Sequence, residues 1–215
     1  MPYASLRDFM ARLEQEGRLV RVTEPVSTVL EMTEIHTRLL AEKGPAVLFE
    51  NVIREDGTKS PMPVLINLFG TVERVAWGMD REPHELRQVG ETLAFLKQPE
   101  PPRGLKEAFQ LLPLAKQVMA MRPGSVSRAP CQEVVLTGDD VDLSILPVQS
   151  CWPREPAPLI TWPLIVTKGP SDSREDNFNL GIYRMQRLGR NKTIMRWLKD
   201  RKSVVEGKSV DLGGR

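Results

Sequence analysis

Leu6, Phe9, Met10 and Leu13 recur at the i, i+3, i+4, i+7 spacing that gathers apolar side chains on one face of a helix. The pattern predicts an amphipathic helix over 6–16. Ser5 stands at the N-cap with Asp8 three residues on, a short version of the capping box. Gly17 supplies the residue that follows the last turn. Leu19-Val20-Arg21-Val22 reads as a short strand that ends before Pro25. Apolar positions at Leu30, Ile35, Leu39 and Leu40 predict a second helix over 30–40, stopped by Lys43-Gly44-Pro45. Ala46-Val47-Leu48-Phe49 and the run 64–68 read as strands on either side of a polar, hairpin-like loop at 54–60. Helices are predicted over 72–78, 83–96, 105–111 and 114–120, the last two divided by Pro113. Helix alternating with strand points to a mixed α/β domain.

The texture changes after about residue 121. Strands are predicted over 133–137, 159–167, 179–186 and 193–198, with a turn at 138–142. Many of the 18 prolines cluster around these strands, at Pro147, Pro153, Pro156, Pro158 and Pro163. Short strands between Pro and Gly turns suggest a sheet or barrel. The fold expected is α+β: a mixed α/β domain over 1–122, then part of a β-domain over 123–199, then a tail over 200–215. No internal repeat is present.

Charge then narrows the function. The chain carries 30 Lys and Arg against 28 Asp and Glu, a formal charge of +2. Binding a phosphate backbone needs a clustered cationic excess, so a nucleic-acid partner is not expected. The composition, 40% hydrophobic and 27% charged, suits a globular chain and neither a disordered one nor a coiled coil. Two cysteines are too few for a disulfide framework, and no CxxC is present. The polar N-terminus lacks an apolar signal core, and no apolar run reaches the ~20 residues of a membrane helix. A reducing cytoplasm is therefore the expected compartment.

Few residues outside one segment offer chemistry. His36, in an apolar-patterned helix, is expected to be structural, and His84 to face solvent at a helix start. Cys131 and Cys151 are expected to be small buried residues. Asp139, Asp140 and Asp142 lack the later Gly and Glu of a calcium loop and read as a solvated turn. Gly207-Lys208-Ser209 lacks the earlier glycine and the strand–loop–helix frame of a phosphate loop. The segment 177–184 is different. As a strand it would place Asn179, Gly181 and Tyr183 on one face and Leu180, Ile182 and Arg184 on the other. Gly inside a strand marks close approach of a ligand or another backbone. Arg196 and Trp197 follow across a short turn at 188–192. Asn, Gly, Arg and Trp on two strands could hold an anionic, planar ligand, since the guanidinium fork matches an oxyanion.

Ordered blocks along the chain resemble one family. They include Leu6-Arg7-Asp8-Phe9, Gly44-Pro45-Ala46-Val47-Leu48-Phe49-Glu50-Asn51, Asn67-Leu68-Phe69-Gly70 and Gly138-Asp139-Asp140-Val141-Asp142-Leu143. Cys151-Trp152-Pro153, Pro158-Leu159-Ile160-Thr161-Trp162, Asn179-Leu180-Gly181-Ile182-Tyr183-Arg184 and Met195-Arg196-Trp197-Leu198 continue them. From Leu6 to Leu198 the sequence resembles the N-terminal part of the UbiD-type decarboxylases, enzymes that remove CO2 from aromatic or α,β-unsaturated acids with prenylated FMN (prFMN). The resemblance implies the start of a flavin-binding split β-barrel after the α/β domain, with the flavin phosphate held through a divalent metal, usually Mn2+. It implies that Asn179 is a metal ligand, that Ile182, Tyr183 and Arg184 bind flavin, and that Arg196, Trp197 and Leu198 form a second flavin-binding stretch. It also implies that Arg184 is the catalytic arginine of a Glu–Arg–Glu network.

The resemblance further implies an activity: decarboxylation of 4-hydroxy-3-polyprenylbenzoate to 2-polyprenylphenol in ubiquinone biosynthesis. Its implied partners are that polyprenylated substrate, a flavin prenyltransferase that supplies the cofactor, and further copies of the intact chain in a homo-oligomer. The implied location is the cytoplasm, with peripheral contact at the inner face of the cell membrane. The alternative reading is a non-enzymatic binding or interaction module with a vestigial flavin site. The sequence departs from the family after Leu198. Asp200 stands where the family has a His metal ligand, and Arg201-Lys202 replaces its Arg-Gly. The family's Glu metal ligand and both acidic members of the network lie further downstream. Residues 200–215 resemble the translation of a sequencing-adapter oligonucleotide, so a non-native tail on a truncated, inactive fragment is expected. A truncated barrel is expected to leave apolar faces such as 159–166 uncovered.

Overall fold

The computed structural model describes residues 3–98, 104–120, 124, 126–168 and 178–195. Its residues fall into two compact units, 1–71 with 139–215, and 72–138.

Helix α1, Leu6–Gln15, begins as the sequence predicts. The Ser5 hydroxyl accepts from the Asp8 N–H at 3.4 Å, and the Asp8 carboxylate accepts from the Ser5 N–H at 3.1 Å. Both side chains thus satisfy backbone donors that an α-helix start leaves open. Phe9 and Leu13 face inward, and Gly17 turns the chain at φ 66°. Strand β1, Leu19–Val22, follows, then β2, Val26–Ser27. Helix α2 is Glu31–Ala41, and its last turn leads into β3, Ala46–Phe49. Strands β4, Val52–Ile53, and β5, Val64–Ile66, complete this part. β3 lies between a parallel β1 and an antiparallel β5. Covered on both faces, all four of its residues are buried, and for that reason it reads as an unbroken apolar run. The small parallel pair β2–β4 stands apart. Val26, Met32, Val47, Phe49, Val52 and Ile66 form the core.

The second unit holds α3, Val72–Gly78, a 3-10 turn at Pro83–Glu85, α4, Leu86–Lys97, and α5, Leu105–Ala120. Two predictions fail here. Helix α5 is one helix through Pro113, where two were expected. Proline removes a single N–H and crowds one carbonyl, a local cost that a 16-residue helix tolerates. The predicted strand over 133–137 does not form; Val134 and Val135 are exposed. Their β-branched side chains fit a pleated surface, but without a partner strand that preference has nothing to act on.

Gly138–Asp140 and, in the first unit, Leu143–Ile145 are 3-10 turns, as a turn-forming acidic stretch suggests. The Asp142 carboxylate caps the second by accepting from the Ser144 N–H at 2.8 Å. Five strands follow: β6, Leu159–Ile160; β7, Leu164–Lys168; β8, Phe178–Ile182; β9, Met185–Arg187; and β10, Thr193–Met195. The long strands predicted over 159–167 and 179–186 are each broken in two. The described strands close no barrel: β6, β9 and β10 form one antiparallel sheet and β7–β8 a separate ribbon.

Candidate flavin and carboxylate site

The two breaks face each other. β6 and β9 pair Leu159 with Gln186 and Ile160 with Met185. β7 and β8 pair Leu164 with Ile182 and continue to Lys168 with Phe178. Between these registers, Thr161, Trp162 and Pro163 stand against only Tyr183 and Arg184. One extra residue on one strand is a bulge, which bends the ribbon and re-aims the side chains at the bend. Trp162 takes up the extra length at φ 58°, a left-handed conformation uncommon for an aromatic residue and crowded by the following proline. Its ring stacks on Phe69, centroids 6.1 Å apart, and Phe69 in turn stacks on Phe9 of α1. Phe69 itself follows a turn anchored by Asn67, whose amide donates to the Gly44 and Pro45 carbonyls at 3.1 and 2.9 Å. The bulge is therefore held from the N-terminal core.

Of the residues singled out in the sequence, the structure brings Ile182, Tyr183 and Arg184 to this corner. Asn179 is opposite Thr167 in the β7–β8 ribbon. Arg196, Trp197 and Leu198 lie outside the described residues, as do 200–215. Alternation carries Leu180 and Ile182 to one face, with Leu164 and Val166 directly across from them, and all four are exposed. Asn179 and Gly181 belong to the other face. The Tyr183 ring lies against Gly181: a Cβ at that position would be 2.7 Å from Tyr183 Cε2. Close approach is thus the reason for glycine here, as the strand pattern suggested, and the approaching group is the tyrosine. The predicted alternation through Arg184 does not hold, because β8 ends at Ile182.

The sequence reading missed what Arg184 meets. Its guanidinium carbon sits over the Trp152 ring, 5.6 Å from the centroid. Trp152 is placed by backbone bridges from its neighbours: Ser150 pairs with Val29 at the start of α2, and Gln149 pairs with Leu159. Cys151, between them, is buried, and burial pushes its thiol pKa up; Glu155 adds to this, while the Thr33 side chain and Arg184 oppose it. The Gln186 amide donates to Glu155 Oε1 at 3.2 Å, and Glu155 Oε2 is buried with no hydrogen-bond partner among the described residues. The block Cys151-Trp152-Pro153 was the available signal, since a Trp between a small residue and a proline is anchored on both sides.

Two clefts of this unit lie elsewhere. One of about 480 Å³ is lined by Glu55, Asp142, Arg187 and Arg190 among others. Its cations are matched: Arg187 Nη2 meets Glu55 at 2.8 Å, and Arg190 Nε meets Asp142 at 3.5 Å. Such a cleft exerts little net pull on an anion. Asp142 is held below the usual carboxylate range first by Ser144, with Arg190 and Arg187 adding to it. His36 is partly buried, which lowers its pKa and agrees with a structural role. Cys131 is exposed, against expectation, because the segment around it forms a 3-10 turn and no buried strand. Among the described residues, no three of His, Cys, Asp and Glu cluster as a metal site. None of the helices there is long and apolar enough to cross a membrane.

The family model for the 3-octaprenyl-4-hydroxybenzoate carboxy-lyase N-terminal domain matches residues 10–93. The model for the Rift-related domain of the same carboxy-lyase matches residues 124–210. Among solved structures, an evolved dimeric form of the UbiD-class enzyme HmfF from Pelotomaculum thermopropionicum, in complex with prFMN, is similar over 92% of this chain and 39% of its own. The TM-score is 0.67 and the identity 23%. The closed form of vanillic acid decarboxylase from Sedimentibacter hydroxybenzoicus is 24% identical over 91% of this chain and 37% of its own, with a TM-score of 0.67. The apo 3,4-dihydroxybenzoic acid decarboxylase from Enterobacter cloacae is 23% identical over 94% and 38%, with a TM-score of 0.68. The chain thus spans less than two fifths of the length of these relatives. With the two domain models in order along it and this fold beneath them, the chain belongs to the UbiD family of carboxy-lyases.

Proposed function

We propose that the chain is the N-terminal part of a prFMN-dependent decarboxylase that acts on 4-hydroxy-3-polyprenylbenzoate in ubiquinone biosynthesis. The observation that carries this reading is Arg184. It follows the Ile182–Tyr183 corner, and among the described residues no carboxylate pairs with it. A guanidinium with unused donors beside an aromatic ring fits an oxyanion, so the corner suits a flavin ligand with an acidic substrate. Asn179 offers a hard neutral oxygen of the kind Mn2+ or Mg2+ accepts, and further ligands would have to come from residues beyond those described.

When bound, prFMN supplies the reactive centre and the electron sink for loss of CO2. The chain's own residues bind and orient. In this proposal Arg184 holds the substrate carboxylate through two N–H donors and stabilises its charge as the C–C bond weakens. Ile182 and Tyr183 present the corner to the flavin, with Tyr183 fixed by its packing on Gly181. Arg196, Trp197 and Leu198 would complete the flavin contacts. A flavin prenyltransferase would supply the cofactor, and the intact enzyme would form a homo-oligomer. The location proposed for it is the cytoplasm, with the polyprenyl tail of its substrate drawing it to the inner face of the membrane.

The test is Arg184→Lys in the full-length gene product. Lysine keeps the charge and loses the planar fork. Turnover per bound flavin should fall on the order of 10²-fold while flavin occupancy holds. Unchanged turnover per bound flavin, with reduced occupancy, would reduce Arg184 to a cofactor anchor. The second reading, a non-enzymatic binding module, is favoured by the exposed apolar face of the β7–β8 ribbon; it predicts flavin binding with no CO2 release from the parent protein.

A further inference from the structure

Six of the described arginines are held by acids. Arg21 pairs with Glu14 and Glu50, Arg38 with Glu34, Arg54 with Asp56, Arg87 with Glu91, Arg187 with Glu55 and Arg190 with Asp142. Each carboxylate takes up donors and neutralises charge. Arg184 is held differently. Its neighbour is the face of Trp152, 5.6 Å from guanidinium carbon to ring centroid. An indole attracts a cation through its quadrupole and accepts no conventional hydrogen bond in doing so. A guanidinium held this way is positioned and stays charged, and it keeps its donors for an incoming oxyanion. A carboxylate in place of Trp152 would hold it as firmly and compete with the ligand.

The anchor is itself rigidly mounted. Residues on both sides of Trp152 are tied into the fold, Ser150 by its bridge to Val29 and Leu159 by its bridge to Gln149. Ser150 also donates its N–H to the Thr28 carbonyl at 3.0 Å and accepts from the Leu30 N–H at 2.9 Å. Trp152 is nevertheless half exposed, so the cation above it is open to solvent and to a ligand. On the other side, Arg184 leaves the bulged corner directly opposite the 161–163 segment.

We propose that Trp152 is a positioning residue for Arg184, a cation–π anchor that pre-sets the guanidinium as a receptor for the carboxylate of an aromatic acid. This rests on the assignment of Arg184 to the substrate carboxylate and extends it to the group that orients it.

Benzoate is the probe, titrated into the 215-residue chain at low micromolar concentration and followed by NMR. In the unliganded chain the Arg184 Nε–H proton should be shifted upfield by the indole ring current, and that shift should vanish in Trp152→Leu. Trp152 is then replaced site-specifically by mono-, di- and trifluorotryptophan. Fluorine drains the ring's negative face and barely changes its shape, so a role in packing alone would leave affinity flat. Benzoate affinity should weaken stepwise, reaching about 2- to 5-fold at the end of the series, the scale of an exposed cation–π contact. Trp152→Leu should weaken it at least as much, and Trp152→Phe should restore part of the loss. Arg184→Gln separates the two readings. If it leaves benzoate binding unchanged, the carboxylate assignment fails and this inference with it. If it abolishes binding while the fluorinated series is flat, the assignment stands and the role of Trp152 is overturned. Failure of the parent chain to bind benzoate at all also overturns it.

Discussion

Cys151 sits between a backbone bridge and the Trp152–Arg184 pair, and its thiol is held protonated mainly by burial. Cys131 is exposed. A thiol reagent at neutral pH should therefore react in two phases, first at Cys131 and then, with unfolding or slow opening, at Cys151. A single fast phase for both thiols would contradict the packing. The pH sign follows from the direction of the shift. The folded Cys151 pKa lies above its ordinary 9.0, so the folded state favours the bound proton. That contribution is complete below pH 9 and fades as pH climbs through the folded value; the stability gap between parent and Cys151→Ala should narrow in that window. Gly181 makes a second residue-scale case. A methyl there would lie 2.7 Å from the Tyr183 ring, so Gly181→Ala must push the ring off the strand. FMN affinity should fall in that variant while far-UV circular dichroism is preserved, and unchanged FMN affinity would remove Tyr183 from the site.

At the scale of elements, the bulge is the feature that local pattern could not show. Apolar and β-branched residues run almost without a gap from Leu159 to Val166, and Leu180, Ile182, Tyr183 and Met185 recur between Asn179 and Gln186, so each stretch reads as one strand. Alternation reports which face a residue takes within a strand; it does not report that two registers differ by one residue across Trp162. Pro163 was the local hint. By contrast the cap of α1 was legible because Ser5, Asp8 and Gly17 act only on their own neighbours. The single helix through Pro113 and the missing strand at 133–137 mark the same limit, where tertiary context outweighs propensity. The left-handed Trp162 gives this element its own test. Trp162→Ala loses the stack on Phe69 and keeps the backbone strain; Trp162→Gly loses the stack and relieves the strain. Glycine should be the more stable variant by about 1 kcal/mol in urea unfolding, the reverse of the usual order inside a strand. Alanine more stable than glycine would show that position 162 is not left-handed in solution.

Across the whole molecule, the residues carrying the family resemblance sort by what the structure does with them. Gly44, Pro45 and Asn67, far apart in sequence, meet in one hydrogen-bonded turn that supports Phe69 and through it the bulge. Ile182, Tyr183 and Arg184 stood out in the sequence as candidates because a Gly inside a strand lies close to an Arg. Trp152 did not, because its contact with Arg184 spans thirty-odd residues. The same ribbon presents Leu164, Val166, Leu180 and Ile182 to solvent on one face, while Leu159, in the run expected to lie uncovered, is buried. Apolar surface of this kind drives association when nothing covers it. The 215-residue chain should therefore bind a hydrophobic dye and self-associate with rising concentration, entering oligomers above the low micromolar range in light scattering. Val166 and Leu180 are direct cross-strand partners, so the pair Val166→Lys with Leu180→Glu replaces an apolar contact by an ion pair in the same register. That double variant should stay monomeric to higher concentration and bind less dye, with its strand content unchanged. If it associates as the parent does, the exposed face of the β7–β8 ribbon is not the surface through which the chains meet.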